Sequence, residues 1–345
     1  NFDKRPWLLM LIINNKGKYM NIKKIGLTAL AGSLVASTAI AGELSISGGA
    51  ILSYKTFDGS NDATDNPTKF AMDQELTASG SAELDNGMTV SLSHALTGTG
   101  STSSTSSLTL DMGDMGTLAY NDSDIGGGLK ALDDITPTAW EEVTDGVAGE
   151  VQAAMGTGAG FAYSNSFAGA AVSIQYSENF TATGTDGTNV TAVSTGTSSS
   201  IGITYPVGDT GLTIYGGMGT EGQVDTTEID HDTLGVKYAM GAFTVGYQVN
   251  DEDNSAADNT VAADEDLETT IFGVSFSVND DLSISYGRHE TESTATGALD
   301  QEIDGVSIAY SMGSMTLSLY QHEGENISNV AGTSEGTELN LAFAF

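Results

Sequence analysis

The chain contains no cysteine. An exported protein of this size is then held by its backbone ladder, with no disulfides to constrain it. Basic residues are scarce as well. Only 11 Lys and Arg stand against 46 Asp and Glu, a formal net charge of −35 over 345 residues. Phosphate binding needs Lys and Arg, so nucleic acid is excluded as a partner. The charge suits salty surroundings, divalent cations or a cation pathway. Long apolar runs are missing too: after Ala41 none approaches the ~18 residues of a membrane helix, which excludes a helical membrane protein. Catalytic signatures are equally absent. His94, His231, His289 and His322 read as isolated residues at strand ends or in loops, with no H-E-x-x-H spacing, and no G-x-S-x-G occurs. A barrel enzyme such as a phospholipase or protease needs a placed nucleophile and base, so no enzyme is expected.

The amino-terminal stretch has the marks of a secretory signal starting at Met20. Asn21-Ile22-Lys23-Lys24 is a basic region, Ile25 to Ile40 is small and apolar, and Ala39-Ile40-Ala41 is an A-x-A cleavage site. On this reading residues 1–19 are upstream read-through, 20–41 the signal peptide and 42–345 the folded chain. That chain keeps 5 basic and 45 acidic residues, a formal charge of −40.

The folded part alternates apolar with polar or small residues, the period of a half-buried strand. The end of the chain shows it best: Leu339, Leu341, Phe343 and Phe345 share one face, Glu338, Asn340, Ala342 and Ala344 the other. Sixteen such segments occur, from Leu44/Ile46/Ala50/Leu52/Tyr54 to the closing strand. Short turns such as Asp85-Asn86-Gly87, a strong hairpin signal, alternate with long polar connections such as 121–154, 178–198 and 250–266. Only a closed barrel satisfies every backbone group in lipid without helices. The expectation is an all-β, 16-stranded antiparallel transmembrane β-barrel with short turns at one end and long loops at the other.

Aromatic residues recur at strand ends. Tyr54, Tyr176, Tyr247 and Tyr286 fall at one end, and Tyr205, Tyr238, Tyr310, Phe343 and Phe345 at the other, as two membrane-interface girdles. Lumen-facing positions are Ser, Thr, Gly, Gln and Asn, among them Ser91, Thr204, Gly246, Gln248, Ser285 and Ser307, which points to a water-filled interior. Lys55 and Lys237 are assigned to the lumen, because a lysine facing mid-bilayer lipid costs roughly 2–4 kcal/mol. The third long loop, after Tyr120, carries Leu129, Leu132, Ile135 and Trp140 as candidate wall anchors and Gly126–Gly128 as a bend. Its Asp122, Asp124, Asp133, Asp134, Glu141, Glu142 and Asp145, with Lys130, are the candidate constriction residues; a solvated external loop is the other reading. Asn250-Asp-Glu-Asp-Asn254 and Asp264-Glu-Asp266 cluster carboxylates as a calcium site does. The EF-hand spacing is missing, so a solvated acidic loop and loop-bound Ca2+ both stay open. No other cofactor is expected.

The chain resembles the Gram-negative outer-membrane general-diffusion porins, in particular the alphaproteobacterial 16-stranded type. The likeness rests on the architecture, Lys23-Lys24…Ala39-Ile40-Ala41, the first turn Asp85-Asn86-Gly87-Met88 and the terminal Phe345. It implies a third loop folded into the lumen, a homotrimer in outer-membrane lipid and lipopolysaccharide, and a C-terminal strand read by the barrel-assembly machinery. It also implies passive diffusion of small hydrophilic solutes and ions, to which the chain's own charge of −40 and its acidic third loop add an expected preference for cations. The chain departs from the type in having only Lys55, Lys69, Lys130, Lys237 and Arg288 where such porins set an inward basic cluster opposite the acidic loop. A secreted acidic structural or adhesive β protein is the alternative, but the G-G-x-G-x-D repeat of calcium-binding β-solenoids is absent.

Overall fold

The computed structural model describes residues 44–345 except 60–68, 99–102, 147–157, 184–190, 223–227, 256–265, 295–296 and 328–329. The expected signal segment and the stretch before it lie outside the described residues. Sixteen strands follow one another: β1 (Leu44–Gly59), β2 (Lys69–Glu83), β3 (Thr89–Thr97) and β4 (Ser103–Asp111). Next come β5 (Thr117–Asn121), β6 (Ala159–Phe167), β7 (Ala170–Thr183) and β8 (Thr191–Pro206). Then β9 (Leu212–Gly222), β10 (Glu228–Met240), β11 (Phe243–Ser255) and β12 (Leu267–Ser277). The last four are β13 (Leu282–Ser293), β14 (Gln301–Met312), β15 (Met315–Glu325) and β16 (Thr333–Ala344). Each pairs antiparallel with its sequence neighbours, and β16 pairs with β1, so the sheet closes into a barrel. Backbone bonds Gly48 N–Phe345 O (2.8 Å) and Phe345 N–Gly48 O (2.9 Å) seal the seam at the last residue. With the ring closed, no strand presents an open edge to lipid.

Alternation decides the two faces. Outward residues are large, apolar and exposed: Leu234 is 65% exposed and Phe343 42%. The inward Glu338, Asn340 and Ala342 are 2%, 3% and 4% exposed. This inverts the soluble pattern and matches a wall wetted inside and greased outside. Tyr176, Tyr205, Tyr238, Tyr247, Tyr286 and Tyr310 are exposed on the outer face with Phe343 and Phe345, and Tyr54 is half-buried against Phe70, ring centroids 4.9 Å apart.

Turns follow their sequences. Gly87 sits at φ 82 after Asn86, whose Oδ1 accepts from Met88 N at 3.2 Å. Between β6 and β7 the turn is Ala168-Gly169, with Ala168 at φ 50, a conformation its sequence does not advertise.

Several strands outrun their apolar pattern. β11 extends to Ser255 through the Asn250–Asn254 run assigned above to a loop, and β7 and β8 enter the 178–198 connection from both sides. The ladder bonds need no apolar side chain, so pairing continues beyond the greasy band. For the same reason all four histidines lie within strands, and His231, His289 and His322 are buried, contrary to the reading of strand ends and loops.

Candidate channel and its constriction

A sixteen-strand barrel is wide enough to leave an aqueous channel when its interior is not plugged. Loop 3, between β5 and β6, enters that space, and inward hydroxyls hold it. Ser173 and Ser200 accept from Gly128 N (3.0 Å) and Leu129 N (3.1 Å). Farther round the barrel Ser285 accepts from Ala139 N at 2.8 Å. Residues Gly128–Ile135 form a 3-10 helix whose Leu129 and Leu132 pack on the buried Tyr215, with Ile135 beside them. Trp140 stacks on Tyr320 with centroids 5.3 Å apart, in a cluster with Ala342 that Ile51 packs against. Val143 joins Ile303 and Ile327. The four anchors read from the sequence, Leu129, Leu132, Ile135 and Trp140, all sit in these clusters.

The loop lies in a furrow of glycines. Gly246, Gly273, Gly287 and Gly305 stand in register across β11, β12, β13 and β14. A Cβ on Gly246 would meet Pro137 Cδ at 2.5 Å, one on Gly273 would meet Pro137 O at 2.8 Å, and one on Gly287 would meet Val143 Cγ1 at 2.9 Å. Farther back, a Cβ on Gly217 would meet Leu129 Cδ2 at 2.9 Å. Backbone can approach backbone this closely only where the wall has no side chain. These glycines stand at inward positions that elsewhere carry Ser or Thr, a signal present in the sequence of each strand.

The candidate residues occupy different settings. Lys130 Nζ pairs with Asp124 at 3.0 Å inside the loop. Glu142 accepts from Thr136 Oγ1 at 2.9 Å. Asp133 and Glu141 are half-buried, and Glu141 and Glu142 line a cavity under the loop with His289 and His322. Asp122 is exposed and accepts from Ser106 N at 2.7 Å, so it extends the β4–β5 ladder rather than the loop's inner course. Asp134 and Asp145 belong to 3-10 segments of the loop, but their side chains are outside the described residues. Lys237 is half-buried on the strand face of the buried Thr233 and Gly235. Lys55 Nζ lies 2.6 Å from Glu338 Oε2, which also accepts from Tyr320 Oη at 3.0 Å. Of the acidic cluster read as a calcium candidate, Asp251 and Asp253 are exposed on β11, while Asp264 and Glu265 fall outside the described residues. Among the described residues no group of three or more His, Asp or Glu side chains forms a metal-binding arrangement.

The chain is similar in fold to the anion-selective porin from Comamonas acidovorans, with a TM-score of 0.65 and 13% identity over 88% of this chain and 100% of that one. An engineered porin from Rh. blastica matches with a TM-score of 0.60 and 14% identity over the same shares. No curated protein sequence matches significantly. The family model of the Gram-negative porins matches residues 26–341. A match over that span, carried by a closed sixteen-strand barrel with a polar interior, makes the chain a member of the Gram-negative porins, an outer-membrane channel protein and not an enzyme.

Proposed function

We propose that the channel passes small hydrophilic solutes and ions by passive diffusion, is narrowed by loop 3 and prefers cations. The observation that carries this reading is the fate of three of the five basic residues of the folded chain. Lys55, Lys130 and Arg288 lie within 2.6, 3.0 and 2.7 Å of Glu338, Asp124 and Glu302. Their charges are spent locally, while 45 carboxylates stand in the folded chain. Carboxylates on loop 3 lie nearer to a passing ion than the ~10 Å over which 0.1 M salt screens them, and so outweigh external ones. The Comamonas acidovorans porin is named as anion-selective; at 13% identity the two chains share a fold, and each sets selectivity with its own charges.

The test replaces Asp133, Glu141 and Glu142 by Asn, Gln and Gln and reads the reversal potential in a potassium chloride gradient. It should move towards the non-selective value, and neutralising Asp251, Glu252 and Asp253 should move it much less. Equal shifts, or a wild-type channel that prefers chloride, contradict the reading. The barrel is further proposed to assemble as a homotrimer, so crosslinking in native membranes should stop at three subunits; a monomer throughout would refute it.

A further inference from the structure

Two histidines lie beneath the second limb of loop 3, Thr138–Val143. His289 of β13 and His322 of β15 are 6% and 1% exposed and line one cavity under the loop. They flank β14, whose inward residue opposite His322 is Gly305. A Cβ on Gly305 would run into His322 Cδ2, so the imidazole leans over that strand. The same ring stacks on Tyr320, centroids 4.3 Å apart, and Tyr320 stacks in turn with Trp140 of the loop. Three of the four ring nitrogens, His289 Nδ1 and both of His322, are sealed from solvent without a hydrogen-bond partner. Neither ring is paired with a carboxylate among the described residues. The titratable groups around them are Glu141 and Glu142 of the loop, Tyr320 of β15 and Glu338 of β16. Glu338 is held by Lys55 and the Tyr320 hydroxyl, and Glu142 accepts from Thr136. Asp145 follows on the loop, its side chain outside the described residues. The inward residues of β12 and β14 are uncharged. At this height the outer face carries Arg288, Glu290 and Glu323, so the pair stands beyond the lipid band.

We propose that His289 and His322 form an acid-sensitive latch for loop 3. Neutral imidazoles can be buried here at little cost. A proton on either seals a charge in the cavity, which is expensive without a paired carboxylate. The acceptor facing His322 is the Val143 carbonyl, and stacking on Tyr320 leaves the ring nitrogens unpaired. A second proton is repelled by the first. Water can solvate both rings once the limb lifts, so acid favours the lifted loop. The freed segment then leans into the lumen and narrows it, a consequence that rests on the assignment of the constriction to loop 3. An imidazole in water takes its proton at about pH 6.5, so docking is fully stable above that pH and weakens below it. Each proton refused by the docked form shifts the docked-to-lifted ratio about tenfold per pH unit, and two shift it about a hundredfold.

The test follows single channels at low voltage from about pH 7.5 down to about pH 4.5. Wild type should pass from full to reduced conductance below about pH 6.5, with the two-proton steepness. His289→Gln/His322→Gln should stay at full conductance throughout, and each single variant should respond with about the tenfold steepness of one proton. His322→Phe keeps an aromatic ring against Tyr320 and removes only the proton site, so it separates titration from packing. Glu141→Gln/Glu142→Gln and Asp145→Asn should retain the acid step. The second measurement reads the limb itself. In a Trp7→Phe background Trp140 is the only tryptophan, and its emission should move to the red over the same pH range as the indole leaves its stack. Heat-modifiable gel mobility at each pH shows that the barrel stays folded. The latch is overturned if wild type gives neither step nor red shift, if the double variant keeps the wild-type step, or if neutralising the carboxylates abolishes it. A red shift without a conductance step supports the latch and refutes instead the narrowing by loop 3.

Discussion

Adding a methyl group to two glycines of the furrow should narrow the channel without weakening the barrel. In Gly246→Ala/Gly273→Ala the new carbons would stand 2.5 Å from Pro137 Cδ and 2.8 Å from Pro137 O. Carbon contacts are comfortable near 3.5–4.0 Å, so Pro137 has to move by about 1 Å. Neither a proline ring nor a backbone carbonyl can turn aside. Both flanks of the segment stay fastened, Leu129 and Leu132 on Tyr215 and Trp140 on Tyr320, so the middle can only bow into the lumen. The Ala139 N–Ser285 Oγ bond, now 2.8 Å, stretches beyond hydrogen-bonding range. Overpacking and the lost bond together cost about 2–4 kcal/mol, all of it within the loop contacts. The ladder from β11 to β12 keeps its bonds, and alanine suits a strand better than glycine. Single-channel conductance should fall, and passage of larger sugars into liposomes should slow more than passage of small ones. The temperature at which the barrel loses its heat-modifiable gel mobility should stay close to wild type. Unchanged or higher conductance in a folded barrel would refute the packing argument.

Other perturbations probe the wall. Lys55→Met leaves Glu338, 2% exposed, with the Tyr320 hydroxyl as its remaining partner among the described residues; because Lys55 is itself 42% exposed, the cost should be about 1–3 kcal/mol, below that of a fully buried pair. Heat-modifiable migration should shift at a lower temperature, and adding Glu338→Gln should recover part of the loss; no shift in the single variant would count against the pair. Leu234→Arg places a charge in the lipid band at a position 65% exposed on the outer face and should cost roughly 2–4 kcal/mol, seen as less folded protein in denaturant titrations from lipid vesicles. Deleting Leu339–Phe345 removes about half of the pairing of β16 with β1 and β15 and opens the barrel; folded, protease-resistant barrel in the membrane should disappear, and normal amounts would show that the seam is dispensable.

Which parts of this were readable in advance follows from what lipid and water each demand. The sixteen strands were legible because lipid requires large apolar side chains at every second position, as at Leu339, Leu341 and Phe343. The loop anchors were legible because Leu132 and Trp140 are out of place in a solvated loop. Strand length was not: at Asn250–Ser255 the ladder continues where no apolar residue marks it. The path of loop 3 along the wall was hidden, since Gly246, Gly273, Gly287 and Gly305 align only once the register of four strands is fixed. The setting of Asp122 was hidden too: it adjoins the loop in sequence, and its carboxylate accepts from Ser106 N at the β4–β5 edge.

A water-filled lumen through the barrel is the feature on which channel function depends. Purified protein added to a planar bilayer should produce stepwise, ohmic current increments whose size scales with the conductivity of the bathing salt, as free ions in a wide aqueous pore require. Folded barrels that insert but give no increments, or currents that saturate at low salt as in a tightly binding pore, would contradict it.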